Sequence, residues 1–173
     1  MKHALKALPF LLAATQPAAA DIEPIVRLDK PAAVALLLRN EGFRARLAND
    51  DRGRPEILTG VGGTIFVIKF FGCHRETDCE SLLFSAGFEF DRGFPFSPIN
   101  DWNAEALMGR AYLDEQCDVY LDHFALADPN QTVAQFLKEL NEWSAVVSDF
   151  REHIGFDQDD PAQVASCDGD SVL

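Results

Sequence analysis

Basic residues are scarce in this sequence. Lysine and arginine number 15 against 28 aspartates and glutamates, for a formal charge of -13. A surface that negative repels a phosphate backbone, so nucleic acid is not an expected partner. The charge favours solubility and would attract a basic partner, with plain solvation as the simpler reading. Long apolar runs are also missing. Crossing a bilayer takes about 20 apolar residues, whereas the stretch from Ala7 to Ala14 is far shorter and no later run approaches that length. No membrane span is expected. Catalytic signatures are absent as well: there is no G-x-S-x-G, no H-E-x-x-H and no G-K-[ST] phosphate loop. Beyond the N-terminal segment the histidines are His74, His123 and His153, far apart in the chain. His123 follows Asp122, but neighbours on a strand face opposite sides. Asn49, Asp51 and Gly53 faintly suggest a calcium loop, yet the closing glutamate is lacking and Pro55 intervenes, so a tight turn explains them better. The sequon at Asn130 sits where a helix starts and is read as chance. No catalytic residue, metal ligand or cofactor is assigned.

What is present first speaks of compartment. The chain opens MKHALKALPFLLAATQPAAAD, with Lys2 and Lys6 ahead of a short apolar run and Ala18-Ala19-Ala20 ahead of Asp21. Basic start, apolar centre and A-x-A together read as a secretory signal peptide. The expected organisation is a leader at residues 1–20, one α+β domain at 21–156, and an acidic, apolar-poor and mobile tail at 157–173. The expected location is the periplasm or the exterior.

In an oxidising compartment an even set of cysteines suggests disulfides. Cys73 and Cys79 flank a short connection between the strand-like runs Thr64–Phe71 and Ser81–Phe90. Antiparallel neighbours bring such positions within bridging reach. Closing so small a loop contributes about 2 kcal/mol in the chain-entropy picture. A redox pair would show C-x-x-C beside a helix. A metal site could recruit His74, Glu76 and Asp78, but Arg75 would oppose it. The staple is the favoured reading. For Cys117 and Cys167, a bridge, a pair of free thiols and bonds to another chain all remain open, with parity favouring the bridge.

Periodicity supplies the elements. LDKPAAVALLLRNEG reads as a helix with Asp29 as cap, Pro31 in the first turn and Gly42 as stop. Phe43–Ala48 alternates as a strand with one wet face, and EILTGVGG leads by a short strand into Thr64–Phe71. In Ser81–Phe90, Leu82, Phe84, Ala86, Phe88 and Phe90 share one parity. Four strands in sequence with short links form an antiparallel meander. FSPINDWNAEALMG follows as a helix with Ser97 as cap and Gly109 past its end. RAYLD and VYLDHFAL form a second hairpin. Asp128 caps the longest helix, whose stripe runs through Val133, Phe136, Leu137, Leu140, Trp143, Val147, Phe150 and Ile154. The order is α-β-β-β-β-α-β-β-α. The class is α+β, an antiparallel sheet with helices on one face.

The stretches GCHRETDCESLLFSAGF, INDWNAEALMGRAYLDEQCDVYLD and FLKELNEWSAVVSDFREHIG closely resemble the YbjN-domain family of bacterial sensory transduction regulators. The resemblance runs from about Asp29 to Gly155. Exported members are similar in carrying a cysteine on each side of the hairpin tip. Cys117 departs from the pattern, standing in a turn where glycine or an acidic residue would be more usual. The resemblance implies a fold like that of class I type III secretion chaperones, which often pair, and hence a homodimer. It brings no established catalytic residues.

The expected function is therefore a non-catalytic periplasmic binding or regulatory module, chaperone-like or sensory, with a protein partner. Its candidate contact surfaces are the sheet face without helices, with Phe71 and Leu83, and the region of Asn100, Trp102 and Asn103. The plainer reading makes Trp102 a helix anchor and leaves the asparagines to local bonding. The alternatives are a thiol oxidoreductase or hydrolase using Cys73 or Cys117, or a metal or small-ligand carrier at the hairpin tip. Mass spectrometry of the secreted product should find a chain beginning at Asp21; retention of residues before Ala20 would contradict the leader.

Overall fold

The computed structural model describes residues 23–61 and 63–157. The expected leader, and all of the expected tail except Asp157, lie outside the described residues. In chain order the elements are β1 (Ile25–Val26), α1 (Pro31–Asn40), β2 (Arg46–Asn49), β3 (Pro55–Val61), β4 (Thr64–Phe71), β5 (Ser81–Phe88), α2 (Phe96–Glu105), β6 (Arg110–Leu113), β7 (Val119–Leu126), β8 (Gln131–Thr132) and α3 (Val133–His153). The class is α+β, and the expected element order holds once the two-residue strands β1 and β8 are set aside. Those two pair antiparallel with each other, tying the entry of the domain to the start of α3.

The six-stranded sheet is antiparallel throughout, in the order β2-β3-β4-β5-β7-β6. The first four strands form the meander. The second hairpin then docks through its later strand, β7 lying against β5 and β6 taking the edge. Alternation along the strands gives the sheet one buried face. Ile57, Phe66, Ile68, Phe70, Leu82, Phe84, Ala86, Phe88, Val119 and Leu121 are buried in one core with residues of all three helices.

The α3 stripe supplies the centre of that core: Phe136, Leu140, Trp143, Val147 and Phe150 are its buried residues. The 21-residue helix is about 30 Å long, enough to cross several strands at their spacing of about 4.8 Å. Trp143 is fully buried, edge-on to Phe66 at 6.1 Å and tilted against Phe84 at 5.9 Å.

The helix starts differ from those expected. Asp29 does not cap α1: Lys30 holds that position without a side-chain bond, while Asp29 is claimed by a two-pronged contact from Arg27 at 2.8 and 2.6 Å. That contact also holds the Asp29 carboxyl below its usual range. Asp128 instead accepts from the amide of Asn130 at 2.8 Å, closing a local turn. The cap of α3 is Thr132, joined with Gln135 in a reciprocal capping box. Pro95, not Ser97, precedes α2, and that helix stops at Glu105. Leu107, inside the stretch read from the sequence as this helix, lies beyond its end and is fully exposed.

Pro31 and Gly42 serve as read, one inside the start of α1 and the other past its end at a φ of 88°. The β6–β7 turn shows why a glycine would suit position 117: Cys117 has a φ of 65°, in the left-handed region. It is tightly framed, since a Cβ on Gly93 would come within 2.6 Å of its own Cβ.

The indole N–H of Trp143 finds no acceptor among the described residues. Its contribution to the core is therefore shape and apolar area. Trp143→Ala should lower unfolding stability by about 3–5 kcal/mol, and Trp143→Phe by roughly 1–2 kcal/mol because no hydrogen bond is lost. Denaturant unfolding of the two variants measures the difference; equal losses would show that the N–H does matter.

Candidate functional site

The hairpin tip is closed. Cys73 and Cys79 are joined by a disulfide between β4 and β5. Inside it His74 and Thr77 exchange backbone bonds at 2.7 and 3.1 Å. Arg75, Glu76 and Asp78 all have positive φ, a conformation that costs side-chain-bearing residues energy. The acids of the tip are engaged: Asp78 pairs with Lys30, and Glu76 accepts from Asn49 at 3.1 Å. The amide of Cys79 donates to the Asp29 carbonyl at 2.9 Å, which fastens the tip to the start of α1. Among the described residues no three of His, Cys, Asp and Glu gather as a metal site would require. Cys117 is likewise not a free thiol, and Cys167 lies outside the described residues.

The α2 region is a joint. Trp102 donates its indole N–H to the Gly109 carbonyl at 3.1 Å and stands edge-on to Phe150 at 4.9 Å. Asn103 donates to the Ala111 carbonyl and accepts from the Ala111 amide, both at 2.9 Å. His153 reaches the Pro98 carbonyl at 2.8 Å. Trp102 and Asn103 thus hold α2 against α3 and β6. Asn100, by contrast, is exposed.

Asp122 and His123 do face opposite ways. His123 lies on the covered side between Phe84 and Trp143, 3.5 Å from Glu139. Its hydrogen bond holds the Glu139 carboxyl below its usual value despite burial, and Gln131 donates to the same group at 3.2 Å. This is a satisfied polar seam at the core's margin.

The sheet face turned away from the helices is the remaining surface. Register places Lys69, Leu83 and Phe124 side by side across β4, β5 and β7, with Phe71, Ser81 and Leu126 in the next row. Phe124 is 59% exposed and Leu126 69%. Arg54 lies over the Phe71 ring, its guanidinium 4.9 Å from the centroid. Further along, Tyr112 and Tyr120 stack at 5.4 Å. Burial and the neighbouring Asp122 charge push the Tyr112 phenol up to about 12, and burial raises Tyr120 too. Both therefore stay neutral hydroxyls well above neutral pH.

Phe71 and Leu83 do lie on this face, next to each other's rows. Phe124 and Leu126 were missed, although the alternation in VYLDHFAL carries the signal. Its second, fourth, sixth and eighth residues share the parity of the open face, and the last two are apolar.

Two comparisons bear on identity. No curated protein matches the chain. The family model YbjN, described as "Putative bacterial sensory transduction regulator", matches residues 30–156. That match spans most of the chain and every element from α1 to α3, and the chain belongs to the YbjN family.

Proposed function

We propose that this YbjN domain is a non-catalytic, exported binding module that meets a protein partner through its open sheet face. The observation that carries the proposal is the apolar group Phe71, Leu83, Phe124 and Leu126, adjacent in register and uncovered by any helix among the described residues. An exposed apolar patch with charged neighbours marks contact surfaces more than it marks solvent faces. Here those neighbours are Lys69 and Arg54. A regulatory role follows the family description. A chaperone-like manner of holding the partner rests on the resemblance in fold alone.

Two further readings support an inert module. With Cys73 and Cys79 bonded to each other, neither offers a thiolate in the oxidised chain. The polar groups of Trp102 and Asn103 are spent on backbone partners, which leaves the sheet face as the stronger contact surface. Export rests on the leader, and the same leader motivates a second bridge between Cys117 and Cys167. A homodimer is the second reading, favoured because the same face carries apolar residues that the described residues of the single chain leave uncovered.

The double variant Phe124→Glu/Leu126→Glu separates these readings. Captured partner from periplasmic extract should fall at least about tenfold, with melting temperature shifted by only a few degrees because both side chains are already exposed. Sedimentation of the mature chain should show whether a dimer forms and dissolves in the variant, which would make the partner a second copy. Unchanged capture and unchanged sedimentation would remove the face from the proposal.

A further inference from the structure

A cleft of about 760 Å³ opens at the other end of the sheet, where the chain leaves α1 and enters β2. Its origin is a mismatch in strand length. Pairing between β2 and β3 ends at Arg46 and Leu58, whereas β3 runs on to Val61 with β4 on its inner side. The incoming segment 42–45 diverges from β3, contrary to the strand expected from Phe43, and the space between becomes the cleft. Phe43, Leu58, Val61 and Ile65 give it apolar walls.

Two observations point to a ligand. Thr59 lines the cleft and is 5% exposed, yet its hydroxyl has no hydrogen-bond partner among the described residues. Leaving such a group unpaired is unfavourable, and an acceptor brought in by a ligand would relieve it. Arg44 and Arg46 also line the cleft, and neither side chain has an ion-pair or hydrogen-bond partner among the described residues. Elsewhere in this acidic chain Arg27, Arg54 and Arg151 are each held by an aspartate, and what sets Arg44 and Arg46 apart from the other unpaired arginines is that both line one apolar cleft. The nearby Arg39 is spent on the Ala45 carbonyl at 3.1 Å.

We propose that the cleft binds a small amphipathic carboxylate, an apolar chain or ring ending in one acid group. The carboxylate pairs with Arg44 and Arg46, whose planar forks suit it. The body lies against Phe43, Leu58, Val61 and Ile65, and the Thr59 hydroxyl donates to the ligand. Cavity size and a mostly apolar wall with few polar groups fit a small molecule. An extended peptide adding a strand to β3 fits less well, because only Thr59–Val61 lie beyond the last paired residue. This site is separate from the open-face patch and stands or falls independently of it.

Calorimetric titration of the mature chain with hexanoate, octanoate, decanoate and 1-octanol tests the proposal. Saturable one-to-one binding should tighten by roughly two- to fourfold per added methylene. Octanol, and octanoate with Arg44→Gln/Arg46→Gln, should each lose about tenfold or more. Thr59→Val gives a readout that a merely structural role cannot imitate: it should raise the melting temperature by removing an unpaired hydroxyl while weakening octanoate. Phe124→Glu/Leu126→Glu should bind octanoate like the wild type. The proposal is overturned if no carboxylate saturates the protein, if octanol binds as well as octanoate, or if the arginine variant binds unchanged. Binding of an acidic peptide at this cleft in place of the carboxylates would overturn it too.

Discussion

Trp143 reaches from the middle of α3 into the groove between Phe66 of β4 and Phe84 of β5. That contact, repeated at the far end by Phe150 against Phe88, gives the sheet an inside. Burying aromatic surface at about 25 cal/mol per Å² rewards one docking of α3 and penalises every register that exposes the stripe. The rest follows from where α3 lies. Trp102 can anchor α2 only because Phe150 is there to receive it. The opposite parity of β4, β5 and β7 is left to water, since the described helices deliver their buried residues to the other face. The open apolar rows are thus a consequence of the core's one-sidedness.

Elements with a short local period were legible in the sequence. The alternation from Leu82 to Phe88 and the stripe from Phe136 to Phe150 needed no knowledge of partners. Helix starts were harder because several short polar side chains compete within a few residues. Asp29 has Arg27 two positions away, and Asp128 has its own Asn130 amide, so the caps fell elsewhere. Strand order is non-local: the second hairpin was evident, but not that its later strand would lie against β5. The two-residue pairing of β1 with β8 is too short to have a period at all. At the candidate surfaces, Phe71 and Leu83 were read from parity. The roles of Trp102 and Asn103 depend on Gly109 and Ala111 arriving beside them, which spacing alone does not encode.

Charge is spent unevenly in this acidic domain. The hairpin tip, where acids and a histidine cluster in sequence, uses its acids to fasten itself to Lys30 and Asn49. The disulfide, the positive-φ residues and those contacts together make the tip a clasp between the meander and α1. Arg44 and Arg46, where β2 is too short to follow β3 to its end, are among the positive side chains without an ion-pair partner among the described residues. In this fold the chemically open places arise where elements fail to match in length or in cover, and the residue-rich motif in the sequence is the most fully occupied.

Asn103 treats Ala111 as a neighbouring strand would, giving it one donor and one acceptor at 2.9 Å. β6 is the last strand of the sheet, and unpaired strand margins template intermolecular stacking. A foreign chain growing onto β6 would first have to evict that carboxamide and strand its two polar atoms. One side chain on a short helix therefore acts as a chock against runaway fibre growth at this edge of the sheet.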